Sequence, residues 1–120
     1  MIWEIEYTDE FGDWWVSLGE REQDEIAVAV GLLEKEGPKL MFPHSSGVGS
    51  SKHSHMRELR RQCLGNPYRV LYAFDPKRRA ILLLGGDKTG DDRWYEKNVP
   101  MADKLYDFHL KEIEREENGK

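Results

Sequence analysis

The chain has 120 residues, 38% of them apolar and 34% charged, with one cysteine and a formal net charge of −5. That length fits one domain around one core, residues 1–120, and the lone Cys63 excludes an internal disulfide, as expected of a reducing, cytoplasmic setting. No apolar run approaches the roughly 18 residues of a membrane span, and the start MIWEIEY has neither a basic opening nor an apolar signal core.

Residues 2–7 alternate, with Ile2, Glu4 and Glu6 against Trp3, Ile5 and Tyr7, which predicts a half-buried strand. Thr8 offers an N-cap with Asp9 and Glu10 in the first turn behind it, and Phe11, Trp15 and Leu18 make the stripe of a short helix ending near Gly19. A second helix is expected over residues 20–36, with Ile26, Ala29, Val30 and Leu33 inward and Gly37-Pro38 as its stop. Residues 38–54, rich in Pro, Gly, Ser and His, read as a long loop, which in a small domain is more often functional than idle.

Three strands are expected next, over residues 55–63, 67–75 and 79–85, joined by turns at 64–67 and 75–78 in an antiparallel meander. In the second, Val70, Tyr72 and Phe74 share one face, while Arg69, Leu71 and Ala73 share the other. The third is apolar on both faces, as a covered central strand would be. A glycine-rich loop over 85–92 leads to Trp94 and Tyr95. Pro100 sits where the first turn of a last helix tolerates it, and the stripe Val99, Ala102, Leu105, Tyr106, His109, Leu110 and Ile113 carries that helix to about residue 116. The tail 117–120 is expected to fray. The order defines an α+β fold: a strand and two helices, a three-strand meander, and a C-terminal helix.

Charge is unevenly spread. Residues 1–50 carry 3 basic and 11 acidic side chains, whereas residues 51–80 carry 8 basic and 2 acidic. The basic block either focuses potential for a polyanion or is a solvated sheet face. GGDKTG lacks the glycine spacing of a phosphate-binding P-loop, and His53-Ser54-His55 suggests a metal pair without a third ligand, so neither metal nor cofactor is expected.

The strings Met56-Arg57-Glu58-Leu59-Arg60, Pro67-Tyr68-Arg69-Val70-Leu71-Tyr72-Ala73-Phe74 and Gly85-Gly86-Asp87-Lys88-Thr89-Gly90-Asp91-Asp92-Arg93-Trp94-Tyr95 resemble the RelE/ParE toxin superfamily. The likeness is to its HigB-like, phage-derived Gp49-like branch. Pro100-Met101-Ala102-Asp103 and Tyr106-Asp107-Phe108-His109-Leu110 match that branch too, so the resemblance runs from the first strand to about Leu110. It implies the toxin of a type II toxin–antitoxin system, a metal-independent mRNA interferase acting on the ribosome. The partner it implies is a helix-turn-helix antitoxin in a hetero-oligomeric complex. The alternatives are a ParE-like gyrase inhibitor, or an inactive relative that only binds its antitoxin; the fold alone does not choose.

Cleavage by the 2′-OH needs a base, an acid and cations aimed at the charge that grows on phosphorus. Arg69 leads the candidates, matching the family's sheet arginine, against the alternative of a surface ion pair. Arg57 and Arg60 follow, although strict alternation separates them and only a bulge near Glu58 would bring both to one site. Lys88 stands where the family often places a basic catalytic residue; otherwise it is a turn lysine held by Asp91 or Asp92. Tyr95 and Trp94 supply a phenol and a stacking ring for RNA, or one of them pins the last helix. His55 is the candidate proton carrier. Lys52 and Arg61 extend the basic strip as RNA contacts, Arg61 being otherwise a solvated neighbour.

Overall fold

The computed structural model describes residues 2–119. Strand β1, Glu4–Tyr7, runs into Thr8, whose Oγ1 accepts the Phe11 N–H at 3.0 Å and so caps helix α1, Asp9–Ser17. Helix α2, Glu20–Glu36, buries Ile26, Ala29 and Leu33. Within the expected loop lie a 3-10 turn, Gly37–Lys39, and a short strand β2, Ser45–Gly47. Strands β3, Arg57–Cys63, β4, Asn66–Phe74, and β5, Arg79–Asp87, form the antiparallel meander, and helix α3 covers Trp94–Asn118.

The sheet is wider than the meander. Its order is β1-β5-β4-β3-β2, with β1 parallel to β5 and the rest antiparallel. The apolar β5 is thus an interior strand, and its lack of alternation fits the helices that cover both of its faces. Strand β2 carries no apolar pattern. Its serines hold it: Ser45 Oγ meets the Tyr72 hydroxyl at 2.7 Å, and Ser46 Oγ donates to Glu58 at 2.8 Å.

Helix α3 begins earlier than expected, so Pro100 lies inside it rather than in its first turn. Burial of Trp94 drives the early start. The proline leaves the Glu96 carbonyl without a helical donor, and both residues are exposed, so water can serve it. At the other end the helix continues to Asn118, through the first two residues of the tail expected to fray; Lys120 lies outside the described residues.

Two apolar layers flank the sheet. Helices α1 and α2 pack on Leu59, Val70, Tyr72 and Leu82, and α3 packs on Leu71, Ala73, Ile81 and Leu83. The β3–β4 register is unbroken, but between β4 and β5 it shifts: Leu71 faces Leu84 and Tyr72 faces Leu82. Leu83 is thus the extra residue of a bulge, and its carbonyl accepts the Thr8 hydroxyl at 2.7 Å. Beyond the bulge, Gly85 and Gly86 turn to opposite faces. A Cβ on Gly85 would sit 2.2 Å from the Trp14 ring, and one on Gly86 2.6 Å from the Trp94 indole nitrogen. The glycine pair is where one tryptophan from each layer lies flush on the backbone.

The β4–β5 turn is closed by Asp75, whose buried carboxylate accepts from His109 Nε2 at 2.7 Å, from Arg79 Nε at 3.0 Å, and from the Lys77 and Arg79 amides. Burial alone would raise its pKa, but the hydrogen bonds from His109 and Arg79 outweigh burial and hold it below the ordinary carboxylate value. The stability this contributes is therefore full above the usual Asp range and lost as pH falls through the lowered value. Asp75→Asn should lower stability at neutral pH and flatten the loss on acidification, read from denaturant midpoints across that range; parallel pH curves for the two proteins would contradict this. Gly85→Ala should cost about 1–3 kcal/mol by forcing Trp14 off the sheet, measured the same way.

Candidate functional site

Alternation places Glu58, Arg60 and Arg69 on the α3 side of the sheet, where Arg60 stands directly opposite Arg69. Two guanidinium groups side by side repel, and the Glu58 carboxylate between them compensates. Glu58 and Arg69 are each only 5% exposed. One carboxylate oxygen of Glu58 accepts the Tyr95 hydroxyl at 2.5 Å and lies 3.4 Å from Arg69 Nε. The other accepts from Ser46 Oγ at 2.8 Å and from Arg60 Nη1 at 3.4 Å. Four elements (β2, β3, β4 and the first turn of α3) thus converge on one side chain.

Arg69 is incompletely satisfied. Its Nη1 donates to the Tyr68 carbonyl at 2.9 Å, but its buried Nε has no hydrogen bond, because the approach to Glu58 is an ion pair without hydrogen-bond alignment. Lys88 follows β5 directly, and its ammonium stands 5.7 Å from the centroid of the Tyr95 ring. Burial, with the neighbouring Glu58 carboxylate, raises the Tyr95 phenol above its ordinary pKa, and Arg69 opposes this only in part. The phenol therefore stays protonated at neutral pH and acts as a donor. Two arginines on one carboxylate, with Lys88 over the Tyr95 ring, leave the cluster with a positive excess and an unused N–H. The positive excess suits a phosphate-sized anion approaching the partly exposed Arg60 and Lys88, while the Arg69 Nε is closed to solvent.

The structure gathers Arg60, Arg69, Lys88 and Tyr95 and leaves the other sequence candidates elsewhere. With no irregularity between β3 and β4, Arg57 points to the opposite face, where it donates to Ser45 Oγ and the Leu40 carbonyl. Arg61 shares that face and pairs with Glu25 of α2 at 2.8 Å. Trp94 is 4% exposed against Gly86, so it pins α3 and offers no free ring to a base. His55 Nε2 meets the Tyr106 hydroxyl at 2.9 Å, and Lys52 pairs with Asp107 at 2.5 Å. Tyr106 and Asp107 lie 11 and 12 residues beyond Tyr95 on α3, roughly 16–18 Å along the helix axis. The basic block is thus not one patch: Lys77 pairs with Glu116 and Arg79 with Glu6 and Asp75.

Glu58 and Ser46 were not among the sequence candidates. The signal for Glu58 was its alternation with Arg60, an acid alone within a basic strand; Ser46 had none, since nothing marked β2 as a strand. Among the described residues no group of three His, Cys, Asp or Glu side chains is arranged to hold a metal, and no helix is long and apolar enough to cross a membrane.

A mixed five-stranded sheet with a helix pair on one face and a long helix on the other is the RelE-like architecture. The crystal structure of the archaeal RelE–RelB complex from Pyrococcus horikoshii matches it with a TM-score of 0.54, over 75% of this chain and 99% of that one. At 18% identity this is a likeness of fold. The chain belongs to the phage-derived protein Gp49-like (DUF891) family, whose pattern matches residues 13–107. Two relatives in Mycobacterium tuberculosis are candidate toxins. HigB3 is 46% identical over 91 residues, which is 75% of this chain and 78% of HigB3. HigB2 is 39% identical over 103 residues, 83% of this chain but only about half, 51%, of HigB2.

Glu58→Gln tests the hub directly. It leaves Arg60 and Arg69 facing each other without a countercharge and should cost about 3 kcal/mol, the low end for opening a buried ion pair. An unchanged urea midpoint would show that the carboxylate does not hold the cluster together.

Proposed function

We propose that this chain is the toxin of a type II toxin–antitoxin pair and an endoribonuclease that cuts ribosome-bound mRNA. The observation that carries this reading is the Arg60–Arg69 pair across β3 and β4, with an unsatisfied, buried Nε on Arg69 and Lys88 nearby. The HigB2 and HigB3 likeness supports the toxin half of the reading. The archaeal neighbour, solved as a RelE–RelB complex, supports a cognate antitoxin as partner.

The chemistry is transesterification. The ribose 2′-oxygen attacks the adjacent phosphorus, the O2′–P bond forms and the P–O5′ bond breaks, leaving a 2′,3′-cyclic phosphate and a 5′-hydroxyl. Glu58 takes the proton from the 2′-OH, and Tyr95, kept protonated, gives one to the departing 5′-oxygen. Arg69, Arg60 and Lys88 stabilise the pentacoordinate phosphorane, whose negative charge exceeds that of the diester.

Induction in cells followed by mapping of mRNA 5′-ends tests the reading. The wild-type chain should create new ends and arrest growth. Arg69→Ala should abolish both while still capturing antitoxin, and Tyr95→Phe should lower cleavage by about 10²-fold or more. Intact mRNA in arrested cells, with gyrase-dependent DNA damage instead, would replace ribonuclease action with a ParE-like one.

A further inference from the structure

The cation cluster accounts for phosphate but leaves the base beside it without a partner among the aromatic residues already described. Trp94 is buried, and Tyr95 is half-buried with its hydroxyl committed to Glu58. One other aromatic residue reaches the cluster. Phe42, in the segment before β2, is 70% exposed, and the Arg60 guanidinium carbon lies over its ring, 5.1 Å from the centroid. The same guanidinium reaches Glu58 with Nη1, so Phe42 and the hub carboxylate are joined through one planar group. The segment is fastened in place: the Arg60 amide donates to the His44 carbonyl at 2.9 Å, and the amides of His44 and Ser45 both donate to the Met41 carbonyl.

An exposed phenyl ring is costly to keep in water, and Met41 beside it is 64% exposed as well. A single-stranded base presents the complementary surface, flat and apolar, attached to a phosphate that needs a cation one group away. Arg60 supplies both halves of that match, stacking on the ring and charge toward the backbone.

We propose that Phe42 is the base platform of the site: it stacks the nucleobase next to the bond that is cut, while Arg60, held against the ring, contacts that nucleotide's phosphate. This rests on the ribonuclease reading and adds to it a residue that sets nucleotide preference. The ring's exposure means that Phe42→Ala leaves the fold intact.

The test is mRNA 5′-end mapping after induction of wild type, Phe42→Ala and Phe42→Trp at matched protein levels. Phe42→Ala should cut about 5- to 150-fold less, the loss of one base stack, and should flatten the nucleotide preference at the cut; Phe42→Trp should restore cutting. If Phe42→Ala cuts at the wild-type rate and sites, the inference is overturned and the ribonuclease reading stands. A uniform slowing with preference unchanged overturns it as well, because the ring would then act only by positioning Arg60. Absence of cleavage by the wild type removes the ribonuclease reading, and the inference with it.

Discussion

A carboxylate buried between two arginines organises this molecule. Removing Glu58 from water costs several kcal/mol unless its oxygens find partners, and here each oxygen has two, drawn from four elements that are distant in sequence. Because Ser46, Arg60, Arg69 and Tyr95 must all reach the same group, the edge strand β2 and the start of α3 are located by the site rather than by apolar packing alone. The hub thereby does structural work with the charges that the proposed chemistry uses. The orphaned Nε of Arg69 marks where that double use is incomplete.

Much of the backbone was legible because its physics is local. Thr8 before two acids, the stripe of α2 and the alternation of β4 each dictate an element from neighbouring residues, and each is present. The pairing of β1 with β5 was not legible, since a strand's sequence says how it alternates and not what lies beside it. Strand β2 was invisible because its stability comes from two serine hydroxyls rather than from apolar periodicity. Pro100 differs for a related reason: its local preference for a first turn is overridden by burial of Trp94 in the helix start before it.

The site was legible in part. Counting separates Arg60 from Arg57 and Arg61 within β3, but only the continuous β3–β4 register sets Arg60 opposite Arg69 and sends Arg57 and Arg61 to the other face. The basic residues of positions 51–80 form one block in sequence. Geometry divides them, because successive strand residues face opposite layers and half of these cations (Lys52, Arg61, Lys77 and Arg79) meet an acid on α2, α3 or β1. The irregularity that matters lies in β5, where Leu83 decides which glycine faces which tryptophan and so where the Trp94–Tyr95 turn docks.

The parallel pairing of β1 with β5 has a consequence in time. Glu4 to Tyr7 hydrogen-bond against Arg79 to Leu82, and Thr8 closes on the Leu82 and Leu83 carbonyls, so the first strand finds its place only after some seventy more residues exist. Contacts of such long sequence separation slow folding, since a large loop must close before they are made. On an emerging chain the N-terminal helices lack their sheet, and Lys88 and Tyr95 are among the last site groups to appear. A truncated translation product ending before α3 therefore has neither a finished core nor a finished site, and nothing assembles the cluster until that helix has been made.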